Sequence, residues 1–153
     1  MELPLSNTSG FVIVDDDVYN ELRGKSIWLD DGYAKFWDPV LRNVKVHRYV
    51  MGFPDLCVDH KNRNKLDCRR SNLRLCTRKE NSYNKGKQKG TFTSRYKGVF
   101  YHKHSRRWKA GIRHEGKQYH LGTFKTEREA ALAYNNGAII YHKLFACLNI
   151  IAD

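Results

Sequence analysis

The sequence predicts an α+β protein, and three observations predict it. Short runs rich in β-branched and aromatic residues dominate the first fifty positions. A strand-loop-strand-helix pattern follows at about 51–84. Three evenly spaced strands and one long amphipathic helix close the chain between about 94 and 151. With 41% hydrophobic residues among 153, the chain can bury real cores and is long enough for one full domain or two small ones.

The first segment, 1–50, is strand-rich and mildly acidic. Phe11-Val12-Ile13-Val14 reads as a short buried strand. Asp15-Asp16-Asp17 offers an N-cap to a short helix through Val18, Tyr19 and Leu22, a commoner duty for adjacent carboxylates than holding a metal. Ser26 to Leu29 and Tyr33 to Trp37, separated by Asp30-Asp31-Gly32, read as a hairpin. Val44 to Val50 alternates and reads as a further strand; within it His47 is expected to be structural and Arg48 to reach a phosphate.

The second segment, 51–84, turns at Phe53-Pro54-Asp55 and enters a strand, Leu56 to His60, that ends in polar residues. Lys61 to Arg70 is a polar loop, Asn72 to Cys76 a second strand, and Thr77 caps a helix from Arg78 to Asn84 with Glu80 placed for a capping box. A basic linker, 85–93, carries Lys85, Lys87 and Lys89 between glycines and suits a phosphate backbone. The third segment, 94–151, gives strands over Tyr96–His102, Arg107–Arg113 and Gln118–Thr123. A helix opens at Thr126-Glu127-Arg128-Glu129 and runs to about Tyr141. Its inner stripe is Ala130, Ala133, Tyr134, Gly137, Ala138 and Tyr141, small enough for close approach to a sheet.

Charge is distributed unevenly. The formal net charge is +12, yet residues 1–58 carry nine acids against six Lys/Arg, whereas residues 60–113 carry two acids against eighteen. So much like charge in one span calls for an anionic partner, and nucleic acid fits it best. A membrane surface fits poorly, because no basic helix shows an apolar face. No run of about eighteen apolar residues and no basic-then-apolar start is present, so neither a transmembrane helix nor a secretory signal is expected. Cys57, Cys68, Cys76 and Cys147 make no disulfide framework and suit a reducing, intracellular setting. A zinc site on Cys57, Cys68 and Cys76 is the alternative, though it lacks a Cys-x-x-Cys knuckle.

The candidate chemistry sits at Asp59-His60, Asn72 and Asn81. An imidazole is the side chain suited to take a proton from water near neutral pH, so His60 is the expected general base. Asp59 and Asn81 offer hard oxygens to a cation. Mg2+, with Mn2+ as substitute, accepts such sparse ligation because it keeps waters and uses phosphate oxygens. Asn72 is expected to pin the loop or orient His60. Together these are the parts for hydrolysing a phosphodiester.

Asp59-His60, Ser71-Asn72-Leu73-Arg74 and Thr77-Arg78-Lys79-Glu80-Asn81 resemble the HNH nucleases, in the His-Asn-Asn form of phage and intron-encoded homing endonucleases. Val12 to Asp16 and Val46 to Gly52 extend the likeness upstream. The resemblance implies a ββα-metal fold, His60 as base, Asp59 and Asn81 as metal ligands, Asn72 in the structural middle position, and products with 5′-phosphate and 3′-hydroxyl ends. The third segment resembles the APETALA, or ethylene-response-factor, DNA-binding domain through Tyr96-Lys97-Gly98-Val99, Trp108 to Arg113, Leu121 to Phe124, Ala130 to Tyr134 and Leu148-Asn149. That resemblance implies a sheet laid in the major groove and backed by the helix.

Strand periodicity independently puts Trp108, Ala110 and Ile112 on one face and Arg107, Lys109, Gly111 and Arg113 on the other. Lys97, Phe100, His102, Gln118 and His120 join these three cations as expected DNA contacts, with Arg48 and Arg74 upstream. Plant members carry more arginine on the outer strands, so their sequence preference does not transfer. The expectation is a metal-dependent endonuclease nicking double-stranded DNA as a monomer or weak dimer, cytoplasmic, in a phage-infected host. The alternatives are a non-catalytic, sequence-specific DNA-binding regulator and an RNA-binding or structural protein using the basic stripe alone.

Overall fold

Alternation and turn chemistry account for most elements of the computed structural model, which describes residues 1–151 in two units divided between Arg78 and Lys79.

In the first unit, β1 (Glu2–Pro4) pairs antiparallel with β2 (Phe11–Ile13), and α1 (Asp16–Leu22) follows. Strands β3 (Ile27–Asp30), β4 (Tyr33–Asp38) and β5 (Arg42–Lys45) form an antiparallel meander. Asp31 and Gly32 join β3 to β4 with φ of 49° and 75°; two left-handed residues match the twist of a tight hairpin. Helix α2 (Val46–Val50) comes next, then the antiparallel pair β6 (Cys57–His60) and β7 (Leu73–Cys76). One core joins all of them: Val12, Val18, Leu22, Ile27, Phe36, Val46, Val58 and Leu73 are buried together.

Two expectations need correcting here. Val44 to Val50 does not continue as a strand, because it leaves β5 at Lys45 and becomes α2. Val46 and Val50, one helical turn apart, then enter the core with His47. Asp15 occupies the cap position of α1, yet its carboxylate makes no cap bond. It accepts instead from the Arg70 backbone N–H at 2.9 Å, while Asp17 takes the Arg70 guanidinium at 2.7 and 2.8 Å. The polar loop between β6 and β7 is thereby tied to α1. The bonds Ile13 N–H to Leu66 O and Cys68 N–H to Ile13 O, both 2.8 Å, tie it to β2 as well.

In the second unit, β8 (Val99–His102), β9 (Arg107–His114) and β10 (Lys117–Phe124) form an antiparallel sheet in the order β10-β9-β8. Helix α4 (Glu127–His142) carries the expected capping box, with Thr126 and Glu129 bonded reciprocally. Its buried face is Ala130, Ala131, Tyr134, Gly137, Ala138 and His142. A Cβ on Gly137 would stand 2.6 Å from Leu121, so its absence lets helix and sheet approach. The short α3 (Arg78–Tyr83) begins at the last residue of the first unit. No helix among the described residues is long and apolar enough to cross a membrane.

Candidate functional site

The β6–β7 register sets Asp59 opposite Arg74 and His60 opposite Leu73. Neighbouring residues on a strand leave by opposite faces, so the carboxylate and the imidazole enter different surroundings. Arg74 Nε and Nη2 both donate to Asp59 Oδ2, at 2.8 and 2.6 Å, with Asp59 nearly buried and Arg74 only 16% exposed. Arg74 was expected on DNA; its guanidinium is held by this carboxylate.

The His60 ring is 5% exposed. Its Nε2 lies 3.9 Å from Cys68 Sγ, and His47 meets it edge-on with ring centres 5.1 Å apart. Burial lowers the His60 pKa, and Lys65 adds to that against the opposing pull of Asp59 and Asp67. His47 falls further, to about 3, through burial first and repulsion from His60 and nearby lysines second. Both rings are therefore neutral at pH 7. His47 Nδ1 is buried with no hydrogen-bond partner. Tyr33 completes the cluster 5.0 Å from His47, with Lys45 and Lys65 ammonium groups over its ring.

Asn72 is bonded within the loop that joins β6 to β7. Its Oδ1 accepts from Asn62 N–H at 3.0 Å and its Nδ2 donates to Asp67 O at 2.8 Å. Asp67 is buried, accepts from Arg69 and Asn62, and has its pKa lowered chiefly by the Arg69 hydrogen bond. The sequence marks it only as part of the polar loop, and His47 only as structural. Neither carries a local signal, since the loop and α2 reach His60 through tertiary packing alone.

All four cysteines are free. Burial pushes the Cys68 thiol up to about 12, so it stays protonated at neutral pH. Among the described residues no group of three or more His, Cys, Asp and Glu is placed to hold a metal. The donors that remain, the Asp59 carboxylate and the Asn81 amide, are hard oxygens; they suit a cation that keeps most of its waters. Arg74 already pairs with Asp59, so a cation taking this carboxylate has to displace the guanidinium. Asn81 lies on α3 and belongs to the second unit.

Of the remaining expected DNA contacts, Arg48 spends its guanidinium on the carbonyls of Pro54 and Leu56, at 2.6 and 3.4 Å. Lys97 donates to the carbonyls of Tyr83 and Lys85. Lys87 lies 4.1 Å over the Phe92 ring, and Lys85 and Lys89 are exposed. On the outer sheet face Phe100, Arg107, Arg113, Gln118 and His120 are exposed, while Lys109 and His102 are half-buried. His102 contacts Ser105 and His120 contacts Thr123. Gly111, on the same face, is buried because the Gln118 side chain covers it. Arg113 and Gln118 pair across β9 and β10 and both line a cavity of about 580 Å³, with Lys79, Lys87, Phe92 and Phe100 among its walls.

The HNH endonuclease family profile matches residues 44–83. The chain is 31% identical to the uncharacterized HNH endonuclease L560 of Acanthamoeba polyphaga mimivirus, over 85% of this chain and 80% of that protein. It is 29% identical to the AP2-like ethylene-responsive transcription factor At1g16060 of Arabidopsis thaliana, over 88% of this chain but 41% of that protein. The ethylene-responsive transcription factor WRI1 of the same plant is 47% identical over 58 residues, spanning 14% of its own length. No solved structure matches the chain.

Proposed function

The chain belongs to the HNH endonuclease family, joined to an AP2-like DNA-binding region, and from that premise we propose that it is a divalent-metal-dependent, homing-type endonuclease of duplex DNA. The observation that carries the reading is the Asp59–His60 pair at the end of β6, within the matched residues.

His60 takes the proton of the attacking water. Burial keeps its ring unprotonated at neutral pH, the state a proton acceptor needs. The water oxygen bonds to phosphorus, the P–O3′ bond breaks, the leaving 3′ oxygen takes a proton from solvent water, and His60 returns its own proton to solvent. The products are a 5′-phosphate and a 3′-hydroxyl. Asp59 and Asn81 would hold Mg2+ or Mn2+, which when bound neutralises charge on the phosphate and the leaving oxygen. Asn72 keeps the loop beside His60 in place through its bonds to Asn62 and Asp67. One base per chain favours a nick, and two copies are needed for a double-strand cut. The C-terminal sheet chooses the site, with Arg107, Lys109 and Arg113 bonding phosphates or guanine edges.

The competing reading is a non-catalytic DNA-binding regulator. Two observations favour it: the near-complete burial of His60 and the hold of Arg74 on Asp59. Supercoiled plasmid with Mg2+ separates the two. Nicked circles from the native chain and none from His60→Ala are expected. Binding without relaxation across Mg2+, Mn2+, Co2+ and Ni2+ would instead establish the regulator.

A further inference from the structure

Helix α3 has six residues, none of them buried. A helix that short does not persist on its own in water, so contacts beyond it must fix its place. Tyr83, at its last position, supplies them. Its ring stacks on His142 with centres 3.9 Å apart and planes within 6°, and His114 lies 5.6 Å away. Its hydroxyl accepts from the Glu115 backbone N–H at 3.3 Å. Its carbonyl accepts from the Lys97 ammonium at 2.8 Å, and the same ammonium reaches Lys85 O at 2.6 Å. Asn149 in turn holds Lys97, accepting from its N–H at 2.7 Å and donating to its carbonyl at 3.1 Å. One residue thus binds the helix to the start of β8, the β9–β10 turn and the end of α4.

Asn81 precedes Tyr83 by two positions. In a helix that is about 200° of rotation, so the amide leaves by a different side from the anchored ring. We propose that Tyr83 is a positioning residue for Asn81: by stacking on His142 it fixes α3 to the C-terminal sheet-and-helix module, which therefore sets where the Asn81 amide is held. The inference rests on Asn81 being a metal ligand. It gives the C-terminal module a second task beside reading DNA.

The test uses the full chain. Mn2+ affinity is measured by electron paramagnetic resonance, and nicking is measured across Mg2+ concentrations. Losing a support of a metal ligand costs on the order of ten- to a hundredfold in affinity or activity. Tyr83→Ala is expected to weaken Mn2+ and raise the Mg2+ half-saturation by about tenfold or more. It should lower kcat and leave the KM for DNA unchanged. Tyr83→Phe keeps the stack and should match the native chain. His142→Leu removes the stack from the other side and should repeat the Tyr83→Ala pattern; if Tyr83→Ala does not fold, His142→Leu decides alone.

Native metal affinity and half-saturation in folded variants would overturn the inference. So would a raised KM with unchanged kcat, because Tyr83 would then be a DNA contact. If Asn81→Ala itself cleaves normally, the underlying assignment fails instead.

Discussion

Replacing Arg74 by Met tests whether the Asp59 carboxylate is the place where a cation belongs. Met keeps the aliphatic stem and removes the charge. The pair it breaks has both donors on one carboxylate oxygen at 2.6 and 2.8 Å, with the two side chains 16% and 7% exposed. Removing one partner of a buried ion pair costs about 3–5 kcal/mol, and partial exposure of the arginine puts this case near the lower end, about 3 kcal/mol. Urea unfolding in EDTA, followed by tryptophan fluorescence, should show that loss as a lower midpoint.

Adding Mg2+ then discriminates. A cation bound at a hundred times its Kd contributes about 2.7 kcal/mol to the folded state. The Arg74→Met chain should recover most of its deficit. The native chain should gain less, because the metal must compete with the guanidinium for the same oxygen. A loss under about 1 kcal/mol in EDTA would show that the pair stabilises no more than a surface ion pair. Equal Mg2+ stabilisation of both chains would show that the metal does not use Asp59.

Acid should destabilise the first unit through His47. Its native pKa, about 3, lies below the ordinary 6.5, so the unfolded chain binds the proton first and stability falls as pH drops between those values. The slope is up to about 1.4 kcal/mol per pH unit, and urea midpoints between pH 7 and 4 should flatten in His47→Phe. Gly98→Ala places a Cβ 2.1 Å from the Tyr134 ring at φ +72°, whereas at Gly116 the added atom meets nothing within 4 Å at φ +80°. The first should cost about 2 kcal/mol or more and the second about 1, so equal shifts in thermal melts would refute the packing account. Alanine at Arg107, Lys109 or Arg113 should reduce the slope of log K against log salt by about one where the lost contact is a phosphate. Where it is a guanine, discrimination should drop by about 1–3 kcal/mol, read by titrating matched and mutated duplexes at several salt concentrations.

Local pattern accounts for nearly every element of the second unit. Strands β8 to β10 are consecutive, their turns hold Gly116 and Ser105, and the helix announces its start with Thr126 and Glu129. Nothing beyond neighbours along the chain is needed. The Val44–Val50 run shows where this fails. Val44, Val46 and Val50 fall on one face at a period of two, and Val46 and Val50 also fall on one face of a helix, so the apolar pattern allows both. Packing against the core chose the helix and carried His47 to His60. The three aspartates before α1 read as caps because a cap is local, whereas Arg70, fifty-five positions away from Asp15, claimed that carboxylate.

By itself the sequence determined the α+β class, the two families it resembles, the strand-loop-strand frame of the candidate site and which residues are proposed for nuclease chemistry, since spacing and residue type suffice for these. Tertiary structure alone decided the surroundings of each group: Arg74 on Asp59, His47 and Cys68 on His60, and His142 under Tyr83. Those partners are chosen by burial and charge between segments remote in sequence, and such pairings leave no period for a single chain of letters to display.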